Sequence, residues 1–348
     1  MRAWHIHGYG DMRLGTRPLP VPQPGWVVVR VCVVQPSITE TLLFEGAKTY
    51  LHEQVAAALA GGPQPLFGHE FSGVVTAIGA GVERLAVGDR VAARGSHPEG
   101  IVGFDMPGAL AEYIAVPATL LGRLPDSVSF SEGAVVQALT DAVAAVDAAG
   151  DLAGRSVAVI GQGAMGLSCL QAARAAGAAR VIAIARRPQS LALARQLGAD
   201  LCIDASACDP VDAVIQATGG QGVDVVFETA GGPPEQGLAG DATLAQAARM
   251  VRDAGSVIGV AFNGDGTFLP YRLFRFRGIR YLFPSLMTEA ILQRTLAWLG
   301  EGRIDVKPMV THVLDGLEQV PEAFRLTARK AEHGLVNPAQ VVVWNPGG

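Results

Sequence analysis

An α/β fold is predicted, with a parallel sheet in the second half of the chain and a β-rich first half. Three observations carry it. The apolar run SVAVI (Ser156 to Ile160) leads straight into Gly161-Gln162-Gly163-Ala164-Met165-Gly166 and then into a helical pattern. Further apolar runs follow in AARVIAIARR (178 to 187), GVDVVFETAGG (222 to 232) and AGSVIGVAFNG (254 to 264). Their spacing, about 25 residues with helix-length segments between, is that of βαβ units in a parallel sheet. Ahead of them VVVRVCVV (Val27 to Val34), GHEFSGVVTAIGAGV (Gly68 to Val82) and GDRVAAR (Gly88 to Arg94) read as strands joined by glycine-rich turns, without helical period.

The glycine run gives the second half its chemistry. Gly161 permits the tight strand-to-helix turn, Gly163 lets a pyrophosphate approach the backbone, and Gly166 lets helix pack on strand. The helix N-terminus then faces the phosphates. SEGAVVQALTDAVAAVDAAG (Ser131 to Gly150) reads as a helix capped by Ser131 and ended by Gly150, and ILQRTLAWLGEGRI (Ile291 to Ile304) as another. FRFRGIRYLFPSLM (Phe274 to Met287) is expected to contain the last strand of the parallel sheet.

The 348 residues suggest about two domains. With 49% hydrophobic and 17% charged residues the chain can bury sizeable cores. It lacks the run of about 18 apolar residues that a membrane span needs, and MRAWHIHGYGDM lacks the layout of a secretory signal, so the cytoplasm is expected. Net charge −5 gives no reason to expect nucleic acid. Only three of the 27 basic residues are lysines, which reads as genomic bias. Cys32, Cys169, Cys202 and Cys208 lack CxxC spacing, so buried thiols are expected rather than disulfides or a zinc cluster.

Phe67-Gly68-His69-Glu70, Gly73, Gly79, Gly88-Asp89-Arg90-Val91 and Gly108-Ala109-Leu110-Ala111-Glu112-Tyr113 follow a familiar order, continued by LGAD (Leu197 to Asp200) and PEAFRLTAR (Pro321 to Arg329). The chain resembles the medium-chain dehydrogenase/reductase superfamily, in its alcohol, polyol and threonine dehydrogenase branch, over essentially its whole length. The resemblance implies a GroES-like, partly barrelled catalytic domain from residues 1–139 and 287–348, with a Rossmann NADP-binding domain, 140–286, inserted. It further implies an active site in the cleft between domains, hydride transfer with a small-molecule substrate, and a homodimer or homotetramer paired through the last Rossmann strand.

Cofactor contacts are expected from Gly161, Gly163, Ala164, Met165, Gly166, Thr229 and Thr140. Where NAD-using members place an acid on the adenosine ribose, this chain has Ala185, followed by Arg186 and Arg187, with Ser190 nearby. A guanidinium can hold a 2′-phosphate bidentately, so NADP(H) is favoured, although two solvated arginines would look the same. The zinc ligands of relatives are not retained. Ser37 stands where the resemblance places a cysteine and Gln137 where it places a later ligand, while His69 and Glu70 remain. Catalytic zinc needs three protein ligands from Cys, His and carboxylate, so none is expected. Residues 94–107 contain no cysteine, so no structural zinc is expected either.

Without a metal, His69 is a proton donor, a substrate contact or a structural residue of its turn. Thr39 matches the family's proton-relaying hydroxyl, and Ser37 and Glu70 complete the candidate catalytic set, Glu70 as an orienting partner. Tyr50 and His52 are further donors. His5, His7, His97, His312 and His333 show no ligand spacing. Two reactions survive the loss of Lewis acid: hydride transfer to an activated carbonyl held by Thr39 and His69, or addition to an alkene conjugated with a carbonyl. The retained GHE turn ranks carbonyl/alcohol redox first. A nucleotide-binding protein without catalysis is the reading from another class.

Overall fold

A computed structural model describes residues 1–98, 100–232, 239–263 and 267–347; the side chain of His97 lies outside the described residues. Two compact units emerge: Met1–Ala138 with Met287–Glu301 and Val306–Gly348, and Leu139–Leu286 with Gly302–Asp305. Among the described residues no helix is long and apolar enough to cross a membrane.

The chain opens with an antiparallel hairpin, β1 (Arg2–Gly8) and β2 (Asp11–Thr16). β3 (Trp26–Gln35) is a ten-residue strand whose valines are buried on both faces, as its near-continuous apolar run requires. Two helices that the sequence reading missed, α1 (Ile38–Phe44) and α2 (His52–Ala60), precede β4 (Glu70–Ile78). β5 (Arg90–Ala93), the two-residue strands β6 (Ser96–His97) and β7 (Gly100–Ile101), β8 (Tyr113–Pro117) and β9 (Leu121–Arg123) follow. β3, β4, β5 and β9 are antiparallel neighbours, with β8 also pairing β3.

The helix expected from Ser131 to Gly150 is two helices, α3 (Phe130–Ala134) and α4 (Val136–Ala149). Ser129, not Ser131, is the cap, because Ser129-Phe130-Ser131-Glu132 forms a reciprocal box. Ser129 Oγ accepts Glu132 N–H at 3.2 Å, and Glu132 Oε2 accepts Ser129 N–H at 2.8 Å.

The second unit alternates strand and helix: β10 (Ser156–Ile160), α5 (Ala164–Ala175), β11 (Arg180–Ala185), α6 (Pro188–Gln196), β12 (Leu201–Asp204), α7 (Pro210–Ala217), β13 (Val223–Glu228), α8 (Ala242–Met250), β14 (Val251–Gly259), α9 (Tyr271–Arg277) and β15 (Arg280–Leu282). All six strands are parallel, in the order β12-β11-β10-β13-β14-β15. The order reverses between β10 and β13, the switch point of a doubly wound sheet. Its core includes Ile160, Ile182, Val226 and Val257. Asp305 N–H donates to Gln171 Oε1 at 2.7 Å, tying the Gly302–Asp305 segment to this unit.

The chain returns through α10 (Glu289–Gly300), β16 (Val313–Asp315), α11 (Val320–Ala328) and β17 (Gln340–Val342). β17 pairs antiparallel with β3, Val341 opposite Val34, so the carboxyl-terminal segment completes the first sheet. Cys32 and Cys169 are buried, and burial pushes the Cys32 thiol up to about 12. Cys202 is half-buried and Cys208 exposed, which departs from the expected burial because β12 and the turn after it lie at the sheet's edge.

Candidate active site

The Phe67-Gly68-His69-Glu70 turn is built under strain. Phe67 is fully buried yet has φ +71°, and Gly68 follows at φ +87°. Left-handed backbone costs a side-chain-bearing residue roughly 1–2 kcal/mol, and packing holds it there. The Phe67 ring meets Phe104 at 5.8 Å and Phe324 at 6.0 Å, and its N–H donates to Gly103 O at 2.7 Å. A Cβ on Gly68 would fall 2.8 Å from Leu110 N, so only glycine fits. The turn delivers His69 to the start of β4, with 12% of its side chain exposed.

Glu40 then fixes the imidazole. Its side chain is fully buried at the start of α1. Oε1 accepts Gly68 N–H at 2.6 Å and His69 N–H at 3.2 Å, and pairs with His69 Nδ1 at 2.7 Å. Oε2 accepts Ser37 N–H at 2.9 Å, while Ser37 Oγ accepts Glu40 N–H at 3.1 Å. The bond at Nδ1 orients the ring and sets Nε2 on its other side. Glu70 Oε1 stands 3.8 Å from Nε2. The other oxygen of Glu70 accepts from Gln35 Nε2, its register partner across β3 and β4. Gln35 Oε1 accepts in turn from Asn337 Nδ2 and Gln340 Nε2, both at 2.8 Å.

Glu40, Gln35, Asn337 and Gln340 escaped the sequence reading. A signal for Glu40 existed, since Ser37-Ile38-Thr39-Glu40 has the S-x-x-E spacing of a capping box. Of the sequence candidates, Ser37, His69 and Glu70 meet through this network. Ser37 serves it as helix cap. Thr39 is half-buried in the first turn of α1, and no hydrogen bond engages its hydroxyl among the described residues. Tyr50 is exposed, and His52 stacks on Tyr9 at 5.7 Å with Nδ1 buried and unpartnered.

The set does not suit tetrahedral zinc. Ser37 Oγ is taken by the capping box and Gln137 offers a neutral amide, so neither is a good third ligand, although a carboxylate on His69 Nδ1 is compatible with metal at Nε2. Among the described residues no group of three His, Cys, Asp or Glu is placed to hold a metal ion.

The glycine loop of the second unit suits a dinucleotide. Gly161 has φ +91°, and a Cβ on Gly166 would lie 1.8 Å from Gly161 O, so α5 packs directly on the strand-to-helix turn. Gly163 caps α5 without any side-chain bond, leaving the first-turn N–H groups, those of Ala164 and Met165 among them, unsatisfied by a cap. Thr229 Oγ1 donates to Ile160 O at 2.8 Å and Gly161 O at 3.1 Å, so its hydroxyl braces the loop. Thr140 is buried in α4. Arg186 and Arg187 are exposed after β11, Arg187 as the cap residue of α6, whereas Ser190 is buried. Among the described residues neither arginine has a carboxylate partner. Asp204, opposite Ala185 in the sheet register, is bound to Ser206 at 2.6 Å.

Fold and loop thus match a two-unit dehydrogenase with a dinucleotide-type glycine loop, and comparison with known proteins supports the class. Residues 23–126 match the alcohol dehydrogenase GroES-like domain, and residues 164–300 match the zinc-binding dehydrogenase domain. The chain is 32% identical to L-threonine 3-dehydrogenase of Bacillus velezensis over 92% of its own length and 93% of the relative's. It is 33% identical to (R,R)-butanediol dehydrogenase of Bacillus subtilis over 91% and 94%. Alcohol dehydrogenase from Thermus sp. ATN1 superposes with TM-score 0.82 at 28% identity, covering 99% of this chain and 100% of that one. A Sinorhizobium meliloti protein described as a zinc-binding dehydrogenase, bound to NADP, superposes with TM-score 0.80 at 25% identity over 98% of both chains. The chain belongs to the zinc-type alcohol dehydrogenase-like branch of the medium-chain dehydrogenase/reductase superfamily, and is an oxidoreductase.

Proposed function

We propose that the protein is an NADP(H)-dependent oxidoreductase that moves hydride between nicotinamide and a carbonyl/alcohol pair without catalytic zinc. The observation that carries this reading is the Glu40–His69 pair, which presents an oriented imidazole while Ser37, at the usual thiolate position, caps a helix. Arg186 and Arg187, next to Ala185 rather than an acid, support a 2′-phosphate. Bound NADPH would supply the hydride. The chain's own residues would do the rest: the Thr39 hydroxyl and His69 Nε2 hold the substrate oxygen, His69 gives up a proton from Nε2 as negative charge develops there, and Glu40 steadies the ring through Nδ1. Glu70 lies on the Nε2 side and complements the imidazolium.

The test combines metal analysis of protein purified without chelator with NADPH oxidation against ketones, aldehydes and enones. Near-zero zinc with carbonyl turnover supports the reading; about one zinc per chain overturns it. Turnover of enones alone would point to conjugated alkene reduction, and bound NADPH that no acceptor oxidises to a non-catalytic role. We further infer a homodimer or homotetramer through β15, the edge strand of its sheet, flanked by exposed Phe276, Phe283 and Leu286. Cytoplasmic residence completes the reading.

A further inference from the structure

We propose that Gln137 contacts the substrate, donating an amide N–H to the same oxygen that His69 serves; this rests on the carbonyl reading above. Gln137 is the second residue of α4 and half-buried. Gly95, at φ +80°, lies beside both the Gln137 side chain and that of His69. A Cβ built on Gly95 would lie 2.7 Å from Gln137 Cγ, 3.5 Å from Gln137 Cδ and 3.4 Å from His69 Cδ2. The carboxamide and the imidazole therefore converge over a residue without a side chain. Cδ2 is bonded to Nε2, so the ring edge nearest Gly95 is the one away from Glu40, and it carries Nε2.

The amide is under-used where it stands. Gln137 Nε2 has two N–H donors, and among the described residues its partner is Met287 Sδ at 3.9 Å, a weak acceptor. An incoming carbonyl or alkoxide oxygen is a far better one. As a neutral donor the carboxamide needs no deprotonation, unlike a thiolate or carboxylate, and it strengthens as charge grows on the oxygen.

Two readouts test this on the full-length protein. The first is steady-state reduction of 4-nitrobenzaldehyde by NADPH. Gln137→Leu is expected to lower kcat about 100-fold with KM changed less, the scale of losing one oxyanion donor. Gln137→Glu should lose at least as much, because a carboxylate repels the oxyanion, while unchanged melting temperatures exclude misfolding. The second is the absorption of 4-(dimethylamino)cinnamaldehyde, whose band moves to the red when its carbonyl accepts hydrogen bonds, with or without turnover. Wild type should shift it and Gln137→Leu should shift it less. Equal shifts, no shift in wild type, or kcat of Gln137→Leu within threefold of wild type would overturn the proposal. A shift that depends on Gln137 without any reduction would leave Gln137 as a carbonyl contact and remove the hydride-transfer reading instead.

Discussion

Glu40→Ala is the perturbation that the geometry makes most costly. The carboxylate satisfies four donors: Ser37 N–H at 2.9 Å, Gly68 N–H at 2.6 Å, His69 N–H at 3.2 Å and His69 Nδ1 at 2.7 Å. Three are backbone groups that cannot turn elsewhere. Leaving a buried donor unsatisfied costs roughly 1–3 kcal/mol. Water entering the new cavity would recover part of this, so the low end, about 4 kcal/mol in all, is the working figure. All four tryptophans, Trp4, Trp26, Trp298 and Trp344, lie in the unit that holds Glu40, so tryptophan fluorescence during urea unfolding reports on that unit. With a slope of about 2 kcal/mol per molar urea, the midpoint should fall by about 2 M. Glu40→Gln keeps one oxygen for the donors on Oε1 and loses the acceptor for Ser37 N–H. Its midpoint should fall about a quarter as far, by about 0.5 M. A shift below about 0.5 M for Glu40→Ala would refute the view that this carboxylate organises the turn.

Four further outcomes are expected. Glu228 is buried with Oε1 accepting Ala230 and Gly231 N–H, and burial pushes its carboxyl up despite these bonds. A raised folded value means that stability is full at low pH and is lost as pH rises through it. Glu228→Gln should therefore gain stability relative to wild type from pH 4 to pH 8 by circular dichroism, and parallel curves would contradict this. Ala254 is exposed at φ +56°; Ala254→Gly should stabilise its unit by about 0.5–1 kcal/mol, the left-handed cost less the extra entropy of glycine, and a lower melting temperature would count against it. Gly166→Ala, with its methyl 1.8 Å from Gly161 O, should weaken NADPH binding at least tenfold by fluorescence titration, whereas unchanged affinity would mean that the loop is not the phosphate cradle. Replacing Arg186 and Arg187 by serine should raise KM for NADPH about tenfold or more and leave NADH unaffected, the scale of losing one charge-assisted contact; equal changes for both cofactors would remove the 2′-phosphate assignment.

Much of the fold was legible locally. Alternating apolar runs and helix-length spacers predict the parallel sheet, because strand and helix periodicities are written within a few residues. The Gly161-Gly163-Gly166 spacing predicts a turn that only glycine can make, and the structure shows why at Gly166. The helix boundary is equally local, since Ser129 and Glu132 have capping-box spacing, but the expected cap at Ser131 lies two residues too late.

What sequence alone determined about this protein is its family, the parallel sheet of its second half and the glycine loop that joins the first strand of that sheet to its helix. Tertiary structure decided which side chains act together. Glu40 and His69 are 29 positions apart, and Gln35 and Gln340 are 305 apart. They meet because β4 and β17 both flank β3 in particular registers, Glu70 opposite Gln35 and Val341 opposite Val34. Local patterns report which face of an element is buried. A hydrogen bond between distant side chains depends instead on strand order, register and the turn that aims each group, and those are set only when the whole sheet assembles.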